Sequence, residues 1–324
     1  MKRLKIGVLG AGHLGKIHIK CIQACENLEL VGFFDPHPET AKKVAEAFNT
    51  KAFDAINTLF SAVDIVDIVT PTVTHFDLAV SAAEAGRHIF IEKPLTHTVE
   101  EAEILRGVAT RTGVKIQVGH VERFNPAFLG VRNLPMSPMF IEAHRLAQFN
   151  PRGTDVSVVL DLMIHDLDLI LHLVKSEVKE VHASGVAVVS ATPDIANARI
   201  EFENGCVANV TASRMSLKQM RKVRLFQPDA YISLDFLEKN AQIIRLLDQN
   251  VGDSLMELDT SRGKKWLDMT MPDPLSINAI QMELESFATS ILTNTPPLVS
   301  LEDGYRALKV AHRIIETIGD STIS

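Results

Sequence analysis

The sequence predicts an α/β N-terminal Rossmann domain with a doubly wound parallel sheet, followed by an α+β C-terminal domain with a large, mostly antiparallel sheet. Over the first 120 residues β-branched runs alternate with helix-like stretches, beyond about residue 137 strand-like segments follow one another, and a glycine-rich turn follows the first strand. Alternation is typical of parallel sheets, and consecutive strands are typical of antiparallel ones. We predict domains spanning residues 1–122 and 123–324.

Five strands are predicted in the first domain: Leu4 to Leu9, Leu28 to Phe34, Ile65 to Val69, His88 to Ile91 and Val114 to Val118. The third and fourth are almost continuously apolar, as in strands covered on both faces. Helices are predicted at Pro38 to Phe48 and Thr74 to Ala85, and a further helix begins at Thr98, which has capping-box spacing to Glu101.

Six strands are predicted in the second domain: Glu180 to Val189, Asn197 to Phe202, Cys206 to Ala212, Val223 to Gln227, Tyr231 to Phe236 and Ala241 to Leu246. The turn residues from Glu203 to Cys206 favour a hairpin. Two helices, from about Ser276 to Leu292 and from Leu301 to Ile318, close the chain.

Composition excludes several functional classes. Among 324 residues, 33 Lys and Arg face 40 Asp and Glu, for a formal charge of -7, so there is no overall basic field for nucleic acid or an anionic membrane. The three cysteines have no disulfide-framework spacing. No apolar run is long enough to span a membrane. We therefore expect a cytoplasmic protein that binds neither nucleic acid nor membrane.

The strongest local signal is a dinucleotide fingerprint. Gly10, Gly12 and Gly15, with His13 and Leu14 between the last two, follow a strand and open a helix. Asp35 stands twenty residues after Gly15 at the end of the second strand, where a carboxylate accepts hydrogen bonds from the adenosine ribose. Because this carboxylate would repel a 2'-phosphate, the pattern favours NAD over NADP.

Polar residues follow two later strands, at the edge where an open α/β sheet binds its ligands. Candidates for the cofactor site are Thr70, Pro71, Thr72 and His75 after one strand and Glu92 and Lys93 after the next. A lysine there would lie beside the nicotinamide and donate to a substrate hydroxyl. The alternative is an ordinary surface lysine before a turn proline.

A predicted apolar helix carries Asp161, His165, Asp168 and His172 at positions that fall on one stripe at 100° per residue. Asp161 and His165, one turn apart, can act as an orienting group and a base. The alternative is a set of hydrogen-bonded core residues or an exposed seam. The four side chains span about 16 Å of helix, too far to share one ion, so no metal site is predicted.

The motifs singled out so far are the fingerprint, Asp35, Thr70-Pro71, His75, Glu92-Lys93-Pro94 and Asp161 with His165, to which we add the segment Gly119 to Pro126. Together they resemble the Gfo/Idh/MocA family of nicotinamide-dependent oxidoreductases. The resemblance implies Lys93, Asp161 and His165 as the catalytic set, a cis Lys93-Pro94 peptide, and a C-terminal sheet that mediates oligomers, here a homodimer or homotetramer. One departure is that Thr154 to Val159 replaces the glycine-rich run that many members have before the aspartate.

Within the family, the segments Val118 to Pro126 and Leu160 to Asp166 look most like the branch that oxidises the 3-hydroxyl of UDP-N-acetylglucosamine. That resemblance implies a nucleotide-sugar substrate and a ketone that an aminotransferase aminates toward a diamino sugar for lipid A. The candidate substrate-binding residues are Arg123, Asn125, His144, Arg145 and Arg152. Further candidate cations are Arg214, Lys218, Arg221, Lys222 and Arg224, with a solvated charged face as the alternative.

The mechanistic hypothesis is that His165, oriented by Asp161, accepts the hydroxyl proton while Lys93 polarises the oxygen and hydride passes to NAD. Two other functions stay open at this point. A dehydrogenase of a free polyol or sugar such as inositol would share these catalytic features. A non-catalytic NAD-responsive binding protein would have no need of them.

Overall fold

The computed structural model describes residues 3–150, 156–249, 256–261, 263–273 and 275–321. The chain divides into two compact units. The first contains residues up to Val121 together with Asn278–Lys309, and the second contains Glu122–Ile277 together with the residues from Val310 onward.

The first unit is built on a five-stranded parallel sheet in the order β2-β1-β3-β4-β5. The strands are β1 (Leu4–Leu9), β2 (Leu28–Phe34), β3 (Ile65–Ile68), β4 (His88–Glu92) and β5 (Ile116–Gly119). The helices that follow them in the chain are α1 (His13–Ala24), α2 (Pro38–Phe48), α3 (Ile56–Ala62), α4 (His75–Glu84) and α5 (Val99–Thr112). The Rossmann prediction is confirmed, and the strand order reverses between β1 and β3, which opens a ligand crevice at their carboxyl ends.

The last part of the chain departs from the predicted two-block division. Helix α8 (Ala279–Leu292) belongs to the first unit, where its residues Leu284, Phe287 and Ala288 join the same apolar cluster as Phe33 and Phe90. Helix α9 (Leu301–Ser321) begins in the first unit and ends in the second. The amphipathic pattern of α8 shows that one face is buried but not which sheet buries it.

The second unit is built on a nine-stranded sheet in the order β13-β14-β12-β11-β10-β6-β9-β8-β7. Its helices are α6 (Pro126–Leu129) and α7 (Ile164–Val174). The strands are β6 (Phe140–Leu146), β7 (Val178–Val186), β8 (Ile195–Phe202), β9 (Val207–Ser213), β10 (Met220–Gln227), β11 (Ala230–Asp235), β12 (Asn240–Leu247), β13 (Met256–Thr260) and β14 (Gly263–Thr270). Only the β6–β9 pair runs parallel among these strands, so the prediction of a mostly antiparallel sheet is confirmed.

The two local turn predictions are also confirmed. Thr98 caps α5 in a capping box with Glu101. The β8–β9 hairpin turns at Gly205, whose φ of +84° suits glycine. Strands β6, β13 and β14 are not among the six predicted strand-like segments. In β13 and β14 the exposed charged residues do not alternate with an apolar face.

One face of the large sheet is buried and the other is open. Ile141, Ala143 and Arg145 of β6 point into the unit, whereas Phe140 and its neighbours on the opposite face are partly exposed. On this open face the ring of Phe226 packs edge-to-face against Phe140, with centroids 6.0 Å apart, and at a tilt against Tyr231, with centroids 5.1 Å apart. No helix in the described part of the chain is long and apolar enough to cross a membrane.

Candidate active site

The turn between β1 and α1 is shaped by three glycines that do different work. Gly10 has a φ of +92°, and a Cβ there would lie 2.8 Å from the Val69 carbonyl oxygen. A Cβ on Gly15 would lie 2.0 Å from the Gly10 carbonyl oxygen. At Gly12 a Cβ would meet nothing within 4 Å. The fold therefore requires the first and third glycines, whereas the second keeps space open above the turn.

The N-terminus of α1 has the features of a pyrophosphate site. Gly12 provides no side-chain cap, and the first turn contains no acidic residue. The first amides of the helix are therefore available to an anion, and the helix dipole favours negative charge there. The predicted contact residues His13 and Leu14 lie in this first turn, His13 exposed and Leu14 partly buried. The open space at Gly12 and the uncapped amides fit the dinucleotide that the fingerprint predicts.

Asp35 lies at the carboxyl end of β2, fixed against the same turn. Its Oδ2 accepts a hydrogen bond from the Ala11 amide at 2.8 Å, and its Oδ1 accepts one from the His37 amide at 3.0 Å. Each carboxylate oxygen has a second lone pair for a ribose hydroxyl. The carboxylate is therefore held in place before any ligand binds.

The loops that follow β3 and β4 are joined by His75. Its ring is buried, with Nδ1 2.9 Å from the Pro94 carbonyl oxygen and Nε2 3.0 Å from that of Thr70. Burial lowers the pKa of His75 and outweighs the two carbonyls, which would raise it. His75 thus braces the loop that carries Thr70, Pro71 and Thr72, where sequence reasoning placed it against the cofactor.

Lys93 follows the last residue of β4 and is partly buried, and the Lys93-Pro94 peptide is cis. The preceding Glu92 is buried, and its Oε2 accepts a hydrogen bond from the Lys93 amide at 3.2 Å. Two residues next to Glu92 were not predicted from the sequence: His18 of α1 and Asp67 of β3 form a buried cluster with it. An aspartate in an otherwise apolar strand was the available signal.

In the second unit the apolar helix that carries Asp161 and His165 begins with a wide turn. Val159–Met163 forms a π-helical segment, so Asp161 precedes the regular helix α7, which contains His165. Asp161 and His165 are both partly buried, whereas Asp168 is buried and His172 is exposed. The four side chains therefore do not share one environment. The π turn changes the angle of Asp161 relative to the other three, and His165, Asp168 and His172 of the regular helix differ in how far they are buried.

The side chains of Arg123 and Asn125 both make hydrogen bonds to other residues of the second unit. The Arg123 guanidinium makes two hydrogen bonds to the Asp168 carboxylate, at 2.6 and 2.8 Å, and both side chains are buried. The Asn125 side chain donates to Glu122 and to the Phe236 carbonyl and accepts from the Ala127 amide at the start of α6. Both residues thus hold the segment after β5 in place, which differs from the expected contact with substrate.

Arg145 is occupied in the same way. It donates to Asp166 at 2.8 and 3.1 Å and to Glu122 at 2.9 Å. Burial would lower the pKa of Arg145, but the two carboxylates outweigh it and raise that pKa. Burial likewise raises the pKa of Asp166, and Arg145 counters that shift.

His144 is adjacent to Arg145 in β6 and therefore faces the other side of the sheet, with Lys222 and Thr211 as its neighbours in register. The two side chains therefore lie on opposite faces of β6, and the expectation that both contact the substrate stays a prediction. Arg152, the remaining candidate, lies outside the described residues.

The cationic run in and before β10 is mostly paired. Arg214 donates to the Val156 carbonyl and lies 3.9 Å from Asp194. The other pairs in the run are Arg221 with Glu122 at 3.9 Å, Lys222 with Asp235 at 3.0 Å, and Arg224 with Glu142 at 3.4 Å. Lys218 is exposed. The pairs of Lys222 and Arg224 lie on the open face of the sheet, as in the solvated charged face that was the alternative to a substrate site.

Comparison with known proteins establishes the family. Residues 4–120 match an oxidoreductase family with an NAD-binding Rossmann fold, and residues 136–228 match the C-terminal domain of the same family. The chain belongs to the Gfo/Idh/MocA oxidoreductase family. It is therefore an oxidoreductase whose first unit is a nicotinamide-dinucleotide-binding domain.

Several members of the Gfo/Idh/MocA family resemble the chain over most of its length. UDP-N-acetylglucosamine 3-dehydrogenase of Acidithiobacillus ferrooxidans is 38% identical over 97% of both chains. A solved structure of that enzyme superimposes with a TM-score of 0.90 at 36% identity, covering 99% of each chain. The NAD-dependent scyllo-inositol 2-dehydrogenase of Bacillus subtilis is 31% identical over 66% of this chain and 68% of the relative.

Proposed function

We propose that this oxidoreductase uses NAD to oxidise the 3-hydroxyl of UDP-N-acetylglucosamine, or of a related nucleotide sugar, to a ketone. The observation that carries the choice of substrate is the similarity to the Acidithiobacillus enzyme across 97% of both chains, both units included. The Glu92-Lys93-Pro94 and Asp161-xxx-His165 residues supply the chemistry that this oxidation needs.

The choice of NAD rests on Asp35. Its carboxylate is fixed by two backbone amides at the end of β2, where the adenosine ribose of a dinucleotide binds. A 2'-phosphate at that position would face a negative charge that cannot swing away without losing both hydrogen bonds.

The proposed reaction requires the loss of a proton and a hydride from one CH–OH group. NAD, when bound, supplies the hydride acceptor. The Lys93 ammonium donates a hydrogen bond to the hydroxyl oxygen and stabilises the negative charge that develops there. A ring nitrogen of His165 accepts the hydroxyl proton, and Asp161 orients the ring and stabilises the imidazolium.

The diphosphate of a nucleotide sugar needs cations. The proposed site does not include Arg123 or Arg145, since both are buried in ion pairs. It does not include Asn125, whose side chain is hydrogen-bonded to Glu122, or His144, which lies on the opposite face of β6 from Arg145. The proposal keeps Arg152 and the exposed Lys218 as the cations to test.

Three further parts of the proposal concern the setting of the enzyme. The partly exposed aromatic rings of Phe140, Phe226 and Tyr231 support assembly through the open sheet face, as a homodimer or homotetramer. Three buried thiols without disulfides suit a reducing cytoplasm. A 3-ketone suits an aminotransferase that makes an amino sugar for lipid A.

A second candidate function is oxidation of a free polyol. The buried pairing of Arg123 and Arg145 favours it, because a neutral polyol needs no cations. The similarity to the Bacillus scyllo-inositol dehydrogenase points the same way.

The test follows the formation of NADH from NAD, or of NADPH from NADP, with UDP-N-acetylglucosamine, free N-acetylglucosamine or inositols as substrate. An aminotransferase and glutamate remove the ketone. We expect turnover with UDP-N-acetylglucosamine and none with free N-acetylglucosamine or the inositols. Turnover with a free polyol and none with the nucleotide sugar would replace the first proposal by the second. Lys93→Ala and His165→Ala should abolish turnover. His172→Ala, an exposed histidine of the same helix, is the matched control and should keep it.

A further inference from the structure

Three ionisable side chains meet in the core of the first unit. His18 of α1 places Nδ1 2.9 Å from Oδ2 of Asp67 on β3 and Nε2 3.1 Å from Oε1 of Glu92 on β4. His18 and Asp67 are fully buried, and Glu92 is 9% exposed. We call these three residues the His18 cluster.

Such a cluster is costly unless its charges compensate one another. The Nδ1 of His18 is hydrogen-bonded to Asp67 and the Nε2 lies at ion-pair distance from Glu92, so a doubly protonated imidazolium places its positive charge beside both carboxylates. Burial would lower the pKa of His18, but Asp67 and Glu92 outweigh it and raise that pKa well above its usual value. The geometry therefore calls for a buried cation between two acids.

Glu92 is held on several sides. Its Oε1 faces His18, its Oε2 accepts the Lys93 amide hydrogen at 3.2 Å, and Gly119 of β5 lies directly beneath it. A Cβ on Gly119 would lie 2.8 Å from Oε1, so glycine is the residue that admits the carboxylate there. The position of Glu92, and with it the start of the Lys93 segment, depends on these contacts.

We propose that His18 is a positioning residue for catalysis: anchored by Asp67, it fixes the Glu92 carboxylate over Gly119 and so orients Lys93 and the cofactor end of the site. The proposal rests on the proposed function, which makes Lys93 catalytic. His18 itself is buried beneath the site and acts only through Glu92.

The charge of Glu92 depends on the ionisable groups around His18. The ionisable groups that face the cluster are Asp67, Glu92, Lys93 beside Glu92, and Cys21 one turn along α1. Burial would raise the pKa of Glu92, but His18 and Lys93 outweigh it and lower that pKa. Removal of the imidazolium leaves a buried carboxylate that takes up a proton at a higher pH, and a neutral Glu92 no longer orients its neighbour as a charged acceptor.

The first experiment needs neither cofactor nor substrate. Histidine ring signals of the isotope-labelled protein are assigned with His18→Gln and followed by NMR against pH. The His18 ring should stay doubly protonated at pH values where the imidazole of a histidine-containing model peptide, with a pKa of about 6.5, has already lost its proton, and Glu92→Gln or Asp67→Asn should bring its titration to lower pH. A His18 ring that titrates like the model peptide, or whose titration is unchanged by both substitutions, overturns the proposal.

The second experiment tests the route through Glu92. His18→Gln should weaken NAD binding, increasingly as pH falls, and lower kcat about tenfold to a hundredfold, with the acidic limb of the kcat profile at higher pH. In a Glu92→Gln background the same substitution should change neither quantity further. His88→Gln, at the other end of β4, is the matched control and should leave the pH profile unchanged.

Additive losses in the double variant, or a uniform loss at every pH, would show a merely structural role and overturn the proposal. If the wild-type protein turns over no sugar or polyol, the proposed function fails by itself. NAD affinity and the NMR titration then still decide whether His18 acts through Glu92.

Discussion

Arg123 and Asp168 form a bidentate ion pair with almost no exposed surface, Nε lying 2.6 Å from Oδ2 and Nη2 2.8 Å from Oδ1. The pair ties the segment that follows β5 to helix α7. Because both groups have lost their water, each relies on the other for compensation. The arginine that looked from the sequence like a phosphate ligand is therefore a structural cation.

Breaking this pair from one side should be costly. We expect Asp168→Asn or Arg123→Met to lower the free energy of unfolding by about 3–5 kcal/mol, since each leaves a buried charge without its partner. The combined substitution should cost less than the sum of the two. Urea denaturation measures all three. Glu142→Gln, which removes the partner of Arg224 on the open face, is the control and should cost at most about 1 kcal/mol.

Substitutions at two glycines of the turn after β1 should affect folding and cofactor binding differently. Gly15→Ala should destabilise the protein and abolish NAD binding, because its Cβ would overlap the Gly10 carbonyl. Gly12→Ala should leave the melting temperature unchanged but raise the Kd for NAD at least about tenfold, since its methyl group fills space meant for the pyrophosphate.

The control for both glycine variants is Gly107→Ala in α5, where a Cβ also meets nothing within 4 Å. It should raise stability slightly, by about 0.5–1 kcal/mol, and leave the Kd for NAD unchanged. Unchanged NAD affinity in Gly12→Ala would contradict the placement of the pyrophosphate above this turn.

Cofactor preference should depend on the charge of Asp35. Asp35→Asn should raise the ratio of kcat/KM for NADP to that for NAD about tenfold, equivalent to about 1.4 kcal/mol, because a neutral amide no longer repels the 2'-phosphate. Steady-state kinetics with both cofactors give the ratio. Glu29→Gln, an exposed acid on the same strand, removes the same charge elsewhere and should leave the ratio unchanged.

The sequence is informative where local pattern decides the structure. Helix α2 begins and ends at the predicted residues, and strands β3 and β4 are recognisable because burial on both faces makes them almost continuously apolar. Which side chains pair with each other cannot be predicted in this way, since the partners lie far apart in the chain. Nothing in the spacing shows that Arg145 meets Asp166, or that His18 meets an aspartate 49 residues away.

The π turn before α7 is a second limit of the pattern. Periodicity at 100° per residue placed Asp161 and His172 on one stripe, but the five residues of the π-helical segment do not follow that angle. The amphipathic pattern of α8 likewise identifies a buried face without the sheet that covers it. Such assignments need the tertiary structure.

The buried thiols give a prediction about alkaline stability. Burial, with a smaller contribution from Glu285, raises the pKa of Cys25 to about 12, and burial raises that of Cys206 to about 11. The native state therefore holds these protons more tightly than the unfolded chain, in which a thiol has a pKa of about 8.5. The stabilisation is complete below that value and is lost as the pH rises from about 8.5 toward 12.

Two measurements check this linkage. At pH 8 the native thiols should react with a disulfide reagent far more slowly than the same thiols in urea, because the thiolate is the reactive form. Between pH 8 and 10 the urea midpoint of the wild-type protein should fall further than that of Cys25→Ala, which has no proton to lose at this position. Equal decreases would show that Cys25 is not coupled to folding, and rapid labelling of the native protein would contradict the burial of all three thiols.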